Sequence, residues 1–337
     1  MTLVASRIIK NTILPLLILS FYSCYNDDYS SIKGATMGTT YSIKYSTSSL
    51  SSYRIQTEID DILNLINRQM STYINDSEIS IFNKASKDMK HIVSSDFYYV
   101  LDKSKYYYDL SNGLFDITVE PLSVLWGFYN KEFRLPSKDS IDSIKTYIGF
   151  DKIKLLDNNE ILKVNNQVKI SLNAIAKGYA VDKIANYFDS NNIKNYMVEI
   201  GGEIKTKGSN SSGRKWKIGL SSFELDVGNA FEYVFINDGA LATSGDYRNF
   251  FVYDGISYSH VIDPVAGYPT ENNVVSATVI ADDCIDADAL ATILNVMEPL
   301  ESIMLINQLS NVECVIVKRT EDGFYYYYSD NVKEYFN

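Results

Sequence analysis

Apolar residues recur at helical spacing through RIQTEIDDILNLINRQMS (54–71), where Ile55, Ile59, Ile62, Leu63 and Ile66 share one face. That period predicts an amphipathic helix. SSDFYYVLDKSKYYYDLSNG (94–113) predicts a second, with Gly113 as its stop. SKDSIDSIKTYIG (137–149) predicts a short third, and NAIAKGYAVDKIANYFDSN (173–191) a longer fourth. Alternation takes over elsewhere. TYSIKYS (40–46) reads as a strand, KIKLLDNNEILKV (152–164) as two strands about an Asn-rich turn, and YMVEIGGEIKTKG (196–208) as a strand ending in glycines. Residues 215–281 break into short strands with Gly and Asp turns. DDCIDADALATILNVM (282–297) predicts a helix with an acidic start, and VECVIVKRTEDGFYYYYS (312–329) a hairpin about Glu321-Asp322-Gly323. The YYYY run fits a strand packed on both faces. No repeat or low-complexity linker divides these elements. They predict one α+β domain with mixed or antiparallel sheets flanked by helices.

The N-terminus follows a different rule. Arg7 and Lys10 precede the apolar run ILPLLILSFY (13–22), which is short for a membrane span, and Ser23-Cys24 follow. A positive start, a short apolar run and a small residue before Cys24 resemble a bacterial lipoprotein signal, in which the Cys is lipidated. The expected organisation is a signal at 1–23, a polar tether at 24–33 and the folded domain at 34–337. An ordinary signal peptide or an uncleaved anchor are the alternatives.

Composition narrows the function. The 337 residues are 46% hydrophobic, enough for a sizeable core, and the net charge is -11 with no basic block. A nucleic-acid partner is excluded on that ground. A phosphorylated ligand would need a divalent metal or a placed Lys to offset repulsion. Past Cys24 only Cys284 and Cys314 remain. They form no CxxC, so a zinc or redox site is unsupported, and their spacing does not say whether they pair.

Several stretches carry candidate chemistry. GATMGT (34–39) is a small-residue loop ahead of the first strand, able to let a ligand approach backbone. NGLFD (112–116) sets a carboxylate beside a turn, and Trp126 just beyond reads as core. In SLNAIAKGYAVD (171–182), Lys177 stands in a helix's first turn. There it opposes the dipole unless an anion offsets it, and a phosphate is the natural candidate. Gly178 lowers helix propensity and leaves room for a ligand. His260 precedes a rigid turn, Asp263-Pro264 with Gly267-Tyr268-Pro269, and is a general-base candidate. Asp288 and Thr292, four apart on one helix, present two oxygens on one face, a pattern that suits a hard cation. Leu290, Ile293, Leu294 and Met297 would face the core, and Asp286 would be the N-cap.

GATMGTTYSI, MSTYINDSEISIFN, GLFDITVEPLSVLWGF, SLNAIAKGYAVD, VEIGGEIKTKG, ALATSGDYRNFF, HVIDPVAGYP and DADALATILNVM, in this order, resemble the ApbE family of FAD:protein FMN transferases. The resemblance runs from about residue 34 to 300. It implies an enzyme outside the cytoplasm, dependent on Mg²⁺, that uses FAD as substrate. A Ser or Thr hydroxyl of an acceptor protein attacks the pyrophosphate, FMN becomes phosphoester-linked and AMP leaves. It further implies that Met37, Tyr73, Leu114, Phe115, Asp116, Lys177 and Ile262 contact FAD, with Tyr73 stacking on the flavin. Ser171 stands where the family often has Asp. By the same resemblance Asp288 and Thr292 hold the metal by side chain and Ala174 by its carbonyl, and catalysis rests on His260 and Asp288. The implied location is the bacterial cell envelope, anchored through lipidated Cys24. Two rival readings keep the same site: an FAD pyrophosphatase in which water is the acceptor, and a flavin-binding lipoprotein without catalysis.

Overall fold

The computed structural model describes residues 29–128, 132–221, 230–245, 250–254 and 256–336. The signal at 1–23 and Cys24 therefore lie outside the described residues. An eight-stranded sheet organises the rest. Its order is Tyr29–Thr36 (β1), Thr39–Ser46 (β2), Tyr196–Ile200, Glu203–Lys207, Gly239–Gly245, Val274–Ala281, Glu313–Thr320 and Gly323–Tyr328. Every neighbouring pair is antiparallel. The α+β expectation holds, and the sheet is antiparallel rather than mixed among the described strands.

Alternation along the strands divides the core into two layers. Ala240, Ala242, Ala277, Val279, Cys314 and Ile316 turn to one face, under the helices. Leu241, Ile280 and Val315 turn to the other, where the hairpin of Trp216–Ser221 with Ala230–Ile236 covers them. Both faces are thus closed, and all eight residues of Val274–Ala281 are buried. Each such Ile or Val contributes roughly 1.5–3 kcal/mol by leaving water.

The helices are Ser52–Met70 (α1), Glu78–Lys84 (α2), Ser95–Leu110 (α3), Glu120–Leu125 (α4), Lys138–Lys145 (α5), Ala176–Ser190 (α6), Cys284–Val296 (α7) and Pro299–Ile306 (α8). The four long ones stand where the periodicity of the sequence puts them; α1 starts two residues earlier, and the other three are shortened at the ends. Ser51, Ser77, Ser94 and Ser137 cap α1, α2, α3 and α5 through their side chains. α2 and α4 are too short to show a period. Trp126 is buried as expected, its indole N–H donating to the Gly267 carbonyl (3.1 Å).

Three expectations need correction. The tether at 24–33 does not reach residue 33, because β1 begins at Tyr29 and pairs with β2 throughout. It is an edge strand and buries Ile32 on one face, so it can be polar elsewhere. The loop at 34–39 is not ahead of the first strand but inside a hairpin. Met37 (φ 50°) and Gly38 (φ 75°) form its two-residue turn, the left-handed pair that matches strand twist. The strand at 196–208 is a hairpin about Gly201-Gly202 (φ 64° and 107°). The YYYY strand packs on both faces as expected, Tyr327 against the helix-side core and Tyr328 against the hairpin-side core, although it is the sheet's edge and Tyr325 is 57% exposed. Cys284 and Cys314 are both buried free thiols.

Candidate active site

α6 and α7 pack side by side, and Gly178 is what lets them. A Cβ there would meet the Cys284 carbonyl oxygen at 2.4 Å and the Asp288 Cβ at 2.8 Å. The residue therefore makes room for a helix and not for a ligand, which corrects the sequence expectation. Its N–H donates to Asp288 Oδ2 at 2.9 Å. In a continuing helix that N–H would go to the carbonyl of Ala174. Among the described residues nothing donates to the Ala174 carbonyl, which is left at the mouth of the helix.

α7 starts by an arrangement that the sequence does not display. Its first N–H groups, on Cys284 and Ile285, donate to the Asp182 carboxylate of α6 (3.0 and 2.8 Å). Asp283 is the N-cap residue, and Asp286 lies in the first turn, paired with Lys103 at 2.7 Å. The expectation of Asp286 as N-cap is thus corrected, since Asp182 already satisfies the helix start. Burial pushes Asp182 up to about 6, against the pull of Lys205 and its two N–H donors.

Along α7 the side chains of Asp288, Thr292 and Val296 face a cleft of about 690 Å³. Thr292 Oγ1 donates to the Asp288 carbonyl (3.3 Å), which leaves its lone pairs toward the cleft. Opposite are Leu114, Phe115 and Asp116, on the loop that follows α3, then Ser171, Asn173, Ala174 and Lys177 ahead of and within α6. His260 and Ile262 close a third side. The turn after Ile262 is rigid as expected: Asp263 Oδ1 accepts from Val265 and Ala266 N–H (2.7 and 2.9 Å). Ten of the twelve site residues named from sequence line this one cleft. Met37 and Tyr73 do not. Met37 sits at the β1–β2 turn, and Tyr73, 79% exposed, sits in the turn between α1 and α2.

The loops that carry these groups are held by specific bonds. The Asn83 side chain clamps Ile170 through both its N–H (2.8 Å) and its carbonyl (2.9 Å), and Ser171 N–H donates to the Ile117 carbonyl (2.8 Å). Asp116 Oδ1 accepts from Thr118 N–H (2.8 Å) and hydroxyl (2.7 Å). Burial pushes its carboxyl up to about 6 in spite of those donors.

Lys177 does not meet an open anion site. Its Nζ pairs with Glu203 Oε1 at 2.8 Å and lies 3.7 Å from Asp288 Oδ1. Burial works against its charge, but Asp288 and then Glu203 outweigh that and raise it. The anions that offset the helix dipole are thus carboxylates of the protein, a correction to the phosphate expectation for the free chain. Burial, then repulsion from Asp288, hold the Glu203 carboxyl well above the usual carboxylate range.

Two features of the cleft were missed from sequence. Glu203 follows the Gly201-Gly202 turn and opposes buried Ile200, on the helix face of the sheet. A Glu where alternation calls for an apolar residue was the available signal. Ser244 also lines the cleft, and Asn295, 1% exposed on α7, donates to its Oγ at 3.0 Å.

Asp288, Thr292, Ala174 and Glu203 all line this cleft, and the buried Glu203 Oε2 has no hydrogen-bond partner. A set of hard oxygens with a buried orphan fits Mg²⁺ chemistry. Among the described residues no cluster of three or more His, Cys, Asp or Glu side chains is poised to hold a metal. A zinc-type site does not fit.

Comparison with known proteins agrees on one family. The model of the ApbE family matches residues 37–316. The FAD:protein FMN transferase of Vibrio cholerae is 40% identical over 309 residues, 90% of this chain and 92% of that protein. That of Haemophilus influenzae is 35% identical over 329 residues, 94% and 95% of the two chains. Among solved structures, the flavin transferase ApbE from Vibrio cholerae superposes with a TM-score of 0.83 at 37% identity, covering 92% of this chain and 99% of that one. The apo flavinyl transferase ApbE of Pseudomonas stutzeri gives 0.84 at 30%, covering 92% and 97%.

Proposed function

The chain belongs to the ApbE family, and on that premise we propose how its cleft transfers FMN from FAD to a protein hydroxyl. The hydroxyl oxygen attacks the FMN-side phosphorus of the pyrophosphate. The bond from that phosphorus to the AMP oxygen breaks, AMP leaves, and FMN stays as a phosphoester. The observation that supports this reading is that His260, Asp288, Thr292, Ala174 and Lys177 line one cleft.

Asp288 and Thr292 by side chain and Ala174 by carbonyl would hold Mg²⁺. When bound it supplies positive charge against the developing negative charge of the departing phosphate. Lys177 lies at the same helix mouth and adds a second positive charge. His260 takes the proton of the attacking hydroxyl, which is a weak nucleophile at neutral pH. Leu114, Phe115, Asp116 and Ile262 form the wall that receives the flavin side, with Ser171 beside them. Tyr73 and Met37 stand outside that wall; the exposed Tyr73 ring is free to stack on a ligand that extends past the cleft. The location that suits this chemistry is the bacterial cell envelope, with Cys24 as the lipid-bearing residue.

Incubation with FAD, Mg²⁺ and a candidate acceptor tests the reading. Intact-mass measurement should show covalent FMN on the acceptor, with AMP formed in equal amount. AMP and free FMN without acceptor labelling would instead make water the acceptor. No AMP under any metal condition would leave a flavin binder.

A further inference from the structure

Glu203 is 4% exposed and lies on the sheet face that packs against α6 and α7. One of its oxygens is committed: Oε1 accepts from Lys177 at 2.8 Å. The other, Oε2, is buried without any hydrogen-bond partner, although it belongs to a residue that lines the cleft. A carboxylate oxygen taken out of water and left bare is costly. Folding gave it no donor, while the neighbouring Asp288 received the Gly178 N–H on one oxygen. Glu203 and Asp288 also crowd one ammonium, that of Lys177, so the neighbourhood is rich in acceptor oxygen. A buried acceptor oxygen needs a partner, and a cation is one that it can take.

The tight turn at Gly201-Gly202 is what places this group. Its two left-handed residues bring the chain back in one step, so that Glu203 opposes Ile200 and its side chain meets Lys177 of α6. Lys205, on the same face, reaches Asp283 (2.8 Å) and Asp182 (3.4 Å) at the start of α7. The strand thus delivers one residue to the helix cap and the other to the cleft.

We propose that Glu203 Oε2 is a further oxygen ligand of the divalent cation held by Asp288, Thr292 and Ala174, with Lys177 kept on Oε1. This rests on the cation reading given above and extends it by one named atom. The carboxylate then bridges Lys177 and the cation, which keeps the two positive groups on opposite oxygens.

Direct binding of Mn²⁺ to the FAD-free protein, read by electron paramagnetic resonance of the free ion, tests this without any turnover. Glu203→Gln removes the charge. Glu203→Asp keeps the charge but withdraws the oxygen by one methylene. Both should weaken Mn²⁺ binding at least tenfold, a loss in the range of supporting metal-site substitutions or greater (about 10–100-fold). Lys177→Met should bind Mn²⁺ as tightly as wild type or more tightly, since a nearby positive charge is gone. Circular dichroism melting checks that each variant is folded. Wild-type affinity in the folded Glu203→Asp protein would overturn direct ligation, because a mere field effect survives that change. Wild-type affinity in Glu203→Gln would overturn any role of Glu203 toward the cation. A wild-type protein that binds no Mn²⁺ would remove the cation reading itself, and this inference with it.

Discussion

Replacing Gly178 by Ala adds one methyl group at the point where α6 and α7 touch. Elsewhere in a helix the change is favourable by about 1 kcal/mol, because Ala is the better helix former. Here the new Cβ would stand 2.4 Å from the Cys284 carbonyl oxygen, 2.8 Å from the carbonyl carbon and 2.8 Å from the Asp288 Cβ. Two of the three obstructing atoms are backbone and the third is the first atom of its side chain, so no rotamer change relieves them. α7 has to move by about 1 Å to restore ordinary contact. Overpacking of that kind costs about 1–3 kcal/mol. The same movement stretches the bond from Gly178 N–H to Asp288 Oδ2, now 2.9 Å, and a hydrogen bond to a charged group contributes about 1.5–3 kcal/mol. After the helix-propensity gain, the net loss is about 1.5–5 kcal/mol, or roughly 2–8 °C in Tm for a chain of this size. Activity should fall further than stability. A displacement of about 1 Å at a catalytic group can cost on the order of a hundredfold in rate. Thermal melting and FMN transfer at a temperature well below Tm measure the two effects separately. A Gly178→Ala protein with equal or higher Tm and full transfer activity would refute this account, since it would mean that helix contact does not require glycine.

Three further outcomes follow from the same geometry. His260→Ala should slow FMN transfer by roughly two to four orders of magnitude, the usual contribution of a general base, with FAD affinity little changed; wild-type rates across pH 6 to 8 would assign the proton to another group. Asp182, pushed up to about 6 by burial, makes stability fall as pH rises from its unfolded value near 3.8 to about 6, because over that window only the unfolded chain ionises. Asp182→Asn lacks this term, so the stability advantage of wild type should shrink by up to about 3 kcal/mol between pH 4 and 6.5; chemical denaturation giving parallel pH curves would contradict it. Cys24→Ala should move the protein from the membrane fraction to a soluble or unprocessed form, and equal membrane retention would point to an uncleaved apolar anchor.

What could be read from the sequence was what one element shows by itself. The apolar face of α1 is visible because Ile55, Ile59, Leu63 and Ile66 repeat within a single helix, and all four are buried. Asp288 and Thr292 are visible as a pair for the same reason, being one turn apart. The hidden features each need two elements that meet only after folding. Met37 and Gly38 read as an open loop because the partner of β2 is a polar strand that no pattern announces. Asp182 caps a helix that begins more than a hundred residues later, Cys284 and Ile285 lying 102 and 103 positions on. Lys177 at a helix start looks like half of a phosphate site until Glu203 arrives from the sheet.

Gly178 shows how a local rule can mislead in this setting. Taken within α6, a glycine is a defect, and the economical explanation is space for a ligand. Taken with α7, 110 positions away at Asp288, the same glycine is the contact itself. Its missing side chain allows the approach, and its N–H, one of the unpaired donors of the first turn of α6, fixes Asp288. One residue therefore sets both the spacing of the two helices and the position of a carboxylate expected to hold the cation. Substitutions at Gly178 should accordingly disturb Asp288 and the α6–α7 contact together, which substitution of Asp288 alone cannot do.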